Sequence, residues 1–432
     1  MKTEWGITSL EEILDELIDY RGKTPKKLGG DWGESGYKAI SANNVKFSGL
    51  VNTETIRYVN HEIYKKWMKS EVRCGDLLLT SEAPSGQVMY WDSDEKIVLS
   101  QRLYGLRIKK DFCPKFIKYY LQSALGQKEI FKNNSGSTVA GISAKTFKNI
   151  MVRHPLEYKH QEEIGEILYN IDKKISINNS IIEELEDSVE NYFQRWFLQF
   201  EFPSENQMFY KKEGGEFVFC EHLHQDIPKG WSTEELKDVV SDIIDHRGKT
   251  PKKLGGDWTD DVDGILALSA KLIKDGRLVN IEKANKVSKE LYTKWMKEEL
   301  CDGDVIMTSE APAGEFFYVH GFNKYCMSQR VFAIRANKKK VMSTYMYCQL
   351  RFGHTFSQIQ SNLSGSTVAG IRQDVLKKLK FLTPDLKVQS SFNEIVSPKL
   401  ATIRSLEREI FRLNEIRDWL IPFLIYGQVS SK

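Results

Sequence analysis

The chain has no apolar run approaching the ~18 residues of a membrane-crossing helix. Its opening, Met1-Lys2-Thr3-Glu4-Trp5, lacks the apolar core of a secretory leader, so neither a membrane span nor export is expected. Cysteine is scarce: Cys74, Cys113, Cys220, Cys301, Cys326 and Cys348 are 6 residues in 432, with no Cys-x-x-Cys pair. Scattered reduced thiols in the cytoplasm fit that usage better than a disulfide framework. Enzyme signatures are missing as well. There is no Gly-x-Ser-x-Gly elbow, Walker loop or His-Glu-x-x-His. No two prolines are adjacent, which excludes the Asp/Asn-Pro-Pro-aromatic loop of an adenine methyltransferase. No residue is therefore assigned a catalytic role. Cys220-x-His222-x-His224 has metal-ligand residue types, but no further ligands stand at zinc-site spacing, so it reads as polar loop and no metal is assigned.

What is present is ample core material, 41% hydrophobic and 11% aromatic, in a length that suits two to three domains. The net charge of +3 hides a pattern. Residues 1–155 hold 24 Lys and Arg against 18 Asp and Glu, and residues 231–384 hold 24 against 19. Residues 156–200 hold 4 against 10, and 201–230 hold 3 against 6. Two basic modules are joined by an acidic spacer, and basic modules suit a polyanion.

The modules are copies. Arg21 to Trp32, R-G-K-T-P-K-K-L-G-G-D-W, returns unchanged at Arg247 to Trp258. Gly22-Lys23-Thr24 is not a phosphate loop: Leu17 stands where that motif needs its first glycine, and Pro25 blocks the helix that should follow. In each copy an amphipathic segment after Trp5 or Trp231 leads into this basic turn. Short runs broken by glycine, proline and asparagine follow and read as strands and turns. Among them Lys66-Trp67-Met68-Lys69 matches Lys294 to Lys297, Thr80-Ser81-Glu82-Ala83-Pro84 matches Thr308 to Pro312, and Ser100-Gln101-Arg102 matches Ser328 to Arg330. A helical stretch (114–132 or 345–359) precedes Ser135-Gly136-Ser137-Thr138-Val139-Ala140-Gly141-Ile142, identical to Ser364 through Ile371. An apolar strand ending at Pro155 or Pro384 closes each module.

The periodicity then changes. Ile164, Leu168, Ile171, Ile175, Asn178, Ile182, Leu185, Val189, Tyr192 and Trp196 alternate four and three apart, a coiled-coil seam with one polar break. A helix of about 38 residues would run ~57 Å. A second seam follows Pro384: Phe392, Val396, Lys399, Ile403, Leu406, Ile410, Leu413, Arg417, Leu420 and Leu424, with Pro398 expected to start or kink that helix and Pro422 to end it. The expected architecture is α+β, with two similar α/β modules (1–155 and 231–384) joined by two long antiparallel coiled-coil helices (156–200 and 385–432) and a linker (201–230). Such an arrangement has pseudo-twofold symmetry, matching a bipartite site on duplex DNA.

Lys and Arg on a Gly-rich turn can approach phosphates, which supplies affinity and position but no sequence choice. The hydroxyls and N–H groups of the Ser-Gly-Ser-Thr loop suit the same role; the alternative for both is a turn that only shapes the backbone.

The whole chain resembles the specificity subunit of a type I restriction–modification system. The two module-plus-helix halves, the Asp-x-Arg-Gly-Lys-Thr-Pro opening, the Gly-Ser-Thr-x-x-Gly-Ile loop and the junction Pro155-Leu156…Gln161-x-x-Ile164 carry that resemblance. It implies two target recognition domains, each reading half of a split double-stranded DNA site, helices that act as a ruler, and no catalysis in this chain. Two methyltransferase subunits using S-adenosylmethionine, and two restriction subunits using ATP and magnesium, would dock on it. This chain itself would bind no cofactor. DNA contacts are expected from Arg21, Lys23, Lys26, Lys27, Asn43, Asn44, Ser81, Gln87, Arg102, Ser137 and Thr138, and from Arg247, Lys249, Lys252, Lys253, Lys271, Ser309, Glu315, Arg330, Ser366 and Thr367. Near-identity of the modules implies similar, inverted half-sites. Asn43-Asn44 against Lys271-Leu272, and Gln87 against Glu315, differ in base-reading type, so one base could differ between the halves. The competing expectation is a stand-alone two-module DNA-binding regulator or scaffold, which would need no methyltransferase.

Overall fold

The computed structural model describes residues 4–132, 141–204, 208–321, 324–363 and 370–427. The chain divides into two compact units: one takes the chain through Asn179 and again from Arg408 on, the other takes Ser180–Glu407. Each unit is a module with part of each long helix.

In the first unit the amphipathic opening resolves into the strand Trp5–Ser9, one helical turn at Leu10–Ile13 and the strand Leu14–Asp19. Ser9 and Glu12 form a reciprocal capping box that starts the turn. Trp5–Ser9 pairs antiparallel with Met151–Pro155, so the module's beginning and end are zipped together. The main sheet runs in the order Leu14–Asp19, Leu103–Ile108, Leu77–Thr80, Val88–Tyr90, antiparallel throughout. The Leu77-Leu78-Leu79 run shows no in–out alternation because both faces of this sheet are covered. Leu77 and Leu79 pack with Phe116, Tyr119, Ile164, Leu168 and Ile425, while Leu78 faces a second core around Trp67, Ile40 and Val98. That second core is closed by a smaller sheet, in which Tyr37–Ile40 lies between Arg57–Val59 (antiparallel) and Val98–Leu99 (parallel).

The second unit repeats this order. Ser232–Glu235 pairs with Lys380–Thr383, and the main sheet runs Val240–Asp245, Val331–Ala336, Val305–Thr308, Phe316–Tyr318. Both units carry a small hairpin, Val45–Lys46/Gly49–Leu50 and Ile273–Lys274/Arg277–Leu278.

The long helices span Tyr158–Phe193 and Leu386–Ile425. Their antiparallel course is visible inside each unit: Asn178 Nδ2 donates to Glu409 Oε2 (2.9 Å) and Arg417 to Asp172 (3.0 Å) in the first, and Trp196 meets Phe392 in the second. The polar break in the seam is therefore a paired one. The helix of the first unit passes Phe116 closely at Gly165, where an added Cβ would lie 2.9 Å from the Phe116 backbone nitrogen.

Three expectations need correcting. The second helix begins at Leu386 and runs through both Pro398 and Pro422. An interior proline costs a helix ~3 kcal/mol, but burial of Phe392, Val396, Leu400 and Ile403 around the first of them offsets that. The seam also shifts: Tyr192 is exposed and Lys399 partly so, while Phe193 and Leu400 fill the core. A turn of π-helix at Gln194–Leu198 lets both Trp196 and Phe197 turn inward. Finally, the linker is structured. It contains the hairpin Phe217–Cys220/Gln225–Pro228, with His224 at its bend, and Phe197, Phe200 and Phe202 cover Trp231 at 5.8, 5.7 and 5.1 Å. Among the described residues no helix is long and apolar enough to cross a membrane, and no His/Cys/Asp/Glu group of three or more has metal-site geometry.

Candidate nucleic-acid interface

Strand register decides which repeated motifs meet. Asp19 lies opposite Tyr104, and Thr80 opposite Leu103. The end of one strand, the end of a second and the start of a third thus share one end of the main sheet. From there the Ser81 N–H donates to the Arg102 carbonyl (2.8 Å) and Ile142 N–H to the Ser81 carbonyl (2.8 Å). The Tyr104 hydroxyl donates to the Ile142 carbonyl (3.0 Å). The basic turn, Thr80–Pro84, Ser100–Arg102 and the last residues of the Ser-Gly-Ser-Thr loop all gather there. The second unit repeats it: Asp245 opposite Phe332, Thr308 opposite Val331, Ser309 N–H to Arg330 carbonyl at 2.8 Å, Ile371 N–H to Ser309 carbonyl at 3.0 Å.

The basic turn is largely self-supporting. Arg21 donates to both carboxylate oxygens of Asp19 (2.9 and 2.8 Å) and lies 4.0 Å over the Tyr104 ring. Partial burial alone would raise the Asp19 carboxyl, but side-chain and backbone hydrogen bonds from Arg21 hold it below the ordinary range. Arg247 makes the same fork on Asp245 and lies over Phe332 at 4.3 Å. Lys23 Nζ caps the Trp67 carbonyl (3.0 Å), and burial, then Lys69, push its pKa down; Lys249 caps Trp295 at 2.9 Å. Lys27 and Lys253 close the loop on the Gly22 and Gly248 carbonyls (2.7 and 2.8 Å). Trp32 packs on Trp67 and Trp258 on Trp295, at 6.2 and 6.0 Å. The identity of Lys66-Trp67 with Lys294-Trp295 has the same cause, since each helix seats a turn. Lys26 and Lys252 are exposed and, among the described residues, their side chains carry no hydrogen bond or ion pair.

Three other expected contacts, Asn44, Ser81 and Ser309, are buried, which corrects the expectation for them; Gln87 and Glu315 are partly exposed but engaged in their own module. Asn44 is buried; its amide donates to the Asn52 carbonyl (3.0 Å) and to Thr55 Oγ1 (3.1 Å), holding the turn before the hairpin. Its counterpart Leu272 is buried too. Ser81 and Ser309 are fully buried, and among the described residues their side-chain hydroxyls have no partner, while their backbones serve the sheet end. Gln87 Oε1 accepts from the Phe47 N–H (3.3 Å) and Glu315 Oε2 from the Asp275 N–H (2.8 Å). The pair thus staples the hairpin turns. Residue type alone suggested base reading; the hairpin's orphan N–H groups use those oxygens instead.

Asn43 and Lys271 stay exposed. Asn43 lies beside the Ser100–Arg102 motif, where Ala42 N–H donates to the Gln101 carbonyl (3.3 Å). Arg102 and Arg330 are exposed at the sheet end, with φ of 62° and 67°. Ser137, Thr138, Ser366 and Thr367 lie outside the described residues. Sequence reasoning passed over Glu82 and Glu310, which sit 3.4 and 3.6 Å from Arg102 and Arg330. Their signal was there, inside the repeated Thr-Ser-Glu-Ala-Pro. The linker residue Cys220 approaches Thr233 Oγ1 at 3.7 Å.

Comparison with known proteins agrees with this geometry. The family model for the type I restriction modification DNA specificity domain matches residues 2–187 and again 228–415. The type I restriction enzyme MjaIX specificity subunit of Methanocaldococcus jannaschii is 25% identical over 437 aligned positions, covering 99% of this chain and 94% of that protein. The crystal structure of the type I restriction–modification S subunit from M. genitalium superposes with a TM-score of 0.64 at 13% identity, covering 100% of this chain and 97% of the other. At that identity the likeness is one of fold.

Proposed function

Because the chain belongs to the type I restriction modification DNA specificity family, we propose that its two sheet ends each read one half of a bipartite duplex target with similar, inverted half-sites. The observation that supports this reading most is the duplication itself. The two units assemble the same exposed arginines, the same basic turn and the last residues of the same loop at the same end of the main sheet. Lys26 and Lys252 are placed to neutralise phosphates, which gives affinity without choice, and the side chains around Arg102 and Arg330 supply the choice.

The chain acts in this reading as a cytoplasmic recognition subunit without catalysis of its own. Two methyltransferase subunits bring S-adenosylmethionine, two restriction subunits bring ATP and magnesium, and this chain brings the target. The acidic face of the first long helix is the partner surface, since a like-charged face repels the DNA and leaves it to protein.

Mapping modified bases in DNA from cells that carry the complete system tests the reading. Two closely similar half-sites separated by a spacer of free sequence are expected. Two unrelated half-sites would sink the inverted-repeat reading, and no sequence preference at all would sink target recognition by this chain.

A further inference from the structure

Both units keep one exposed arrangement that phosphate binding does not explain. Glu82 Oε2 stands 3.4 Å from Arg102 Nε, with the side chains 40% and 54% exposed. Glu310 Oε2 stands 3.6 Å from Arg330 Nε, at 40% and 47%. A carboxylate on an edge that meets phosphates repels them. An ion pair of no net charge adds nothing to backbone affinity, and as an exposed pair it adds little stability.

Yet three identical stretches converge to build it. Thr80–Pro84 supplies the glutamate and Ser100–Arg102 supplies the arginine. The closing loop makes room: a Cβ on Gly141 would lie 3.2 Å from Glu82 Cγ, and one on Gly370 would lie 2.7 Å from Glu310 Cγ. Both arginines hold a left-handed backbone, φ 62° and 67°, which a residue with a side chain rarely adopts. Both copies keep such backbone at Asn52 and Asn280 as well, but beside the glutamates it recurs at Ala83 and Ala311 (φ 50° and 49°), so both members of each pair are held by strained backbone at an exposed edge. The surrounding support, by contrast, has drifted between the units, as Gln87 and Glu315 show.

Paired carboxylate and guanidinium have one matched partner in the major groove. A carboxylate accepts from the cytosine N4 amino group, and an arginine donates to guanine O6 and N7. With Nε turned to the carboxylate, the two terminal nitrogens of Arg102 remain for the guanine. We propose that Glu82–Arg102 and Glu310–Arg330 are specificity-determining pairs, each reading one C·G base pair at the matched position of its half-site. This rests on the reading that the sheet ends face DNA.

The test uses the complete complex in cells, as wild type, Glu82→Gln, Glu310→Gln and Arg102→Lys, with modified bases mapped across a library of randomised targets. Glu82→Gln is expected to lower discrimination for C·G roughly five- to a hundredfold at one position of one half-site. Glu310→Gln should do so at the matching position of the other half. Arg102→Lys keeps the charge and loses the two-pronged geometry, so it should relax the same position as Glu82→Gln and stands in for that variant if its complex does not assemble. A uniform loss over all sequences, an unchanged profile, or a wild-type target without matched C·G pairs overturns the proposal. A wild type with no sequence preference would instead overturn the DNA-reading function beneath it.

Discussion

In the first unit the helix Pro114–Gln122 is tied to the long helices by a buried charge cluster. Lys118 Nζ donates to Asp172 at 2.7 Å, the Tyr119 hydroxyl donates to it at 2.6 Å, and Arg417 closes it at 3.0 Å. In the second unit Leu400 takes the place of Asp172, in a register anchored by Gln161 and Gln389, which accept from the Cys113 and Met342 N–H groups at 2.9 Å each. There the charges have moved to the hairpin. Arg277 pairs with Glu186, while Arg404 and Arg351 cap the Gly276 and Asp275 carbonyls at 2.8 and 2.7 Å. One packing task thus has two sets of residues, whereas at the sheet ends the basic turn and the glutamate and arginine motifs are identical, with Phe332 for Tyr104 beneath the arginine and Lys271 for Asn43 beside it. Packing accepts any set that fills the space and pairs its charges. Under the proposed reading the sheet ends meet like half-sites, which leaves them less latitude.

Substitution can break that contrast, and the largest effect is expected at Asp172. Its carboxyl would be raised by burial, but Lys118, Tyr119 and Arg417 together hold it below its ordinary 3.8. Asp172→Asn leaves the buried Lys118 without its anion, while Arg417 keeps Asp418, and should cost the first unit ~3–5 kcal/mol in chemical denaturation at neutral pH. A carboxyl with a lowered folded pKa stabilises above its unfolded pKa and loses that contribution as pH falls through the folded value. The gap between wild type and variant should therefore be full at neutral pH and close below pH 3.8. A pH-independent gap would mean that lost packing, not charge, is responsible.

The second effect concerns the exposed position at which the units differ in type. Asparagine pairs two-pronged with adenine, and lysine prefers guanine. Exchanging them, Asn43→Lys with Lys271→Asn, should swap the preference at one position between the half-sites, a change in discrimination of ~1–3 kcal/mol readable in the modified-base profile. If neither half-site changes, the difference between the units at this turn is only surface chemistry.

The smallest effect is expected where the units are identical and exposed. Lys26→Ala and Lys252→Ala should each weaken binding to all sequences alike and lower the slope of log affinity against log salt by about 1. Unequal effects of the two would show that the two sheet ends do not approach DNA in the same way.

Much of the fold was legible in the chain because repetition and periodicity are written locally. Two copies of each motif mark two modules, and a 3.5-residue apolar period marks long helices that pack. Proline was misleading at Pro398 and Pro422, since its local cost is outweighed by burial contributed from elsewhere in the chain. At Tyr192 and Lys399 the next residue, Phe193 or Leu400, fills the core instead, and nothing in a heptad count announces that shift or the π-turn at Gln194–Leu198.

The candidate site was legible in outline and not in detail. Residue type identified arginines, lysines, amides and hydroxyls able to meet DNA, and identity between the copies singled out the motifs that carry them. Type could not say which of those groups the protein itself would use. Asn44, Gln87 and Glu315 are engaged by backbone groups of a hairpin and its preceding turn, and Lys23 and Lys27 by carbonyls of their own surroundings. The linear sequence alone determined that there are two like modules, two long helices and one set of repeated polar motifs. Only the tertiary structure decided that those motifs meet at one end of a sheet, with Glu82 beside Arg102 and Glu310 beside Arg330. Strand register and hydrogen bonds between residues far apart in the chain set that meeting point, and no local pattern encodes it.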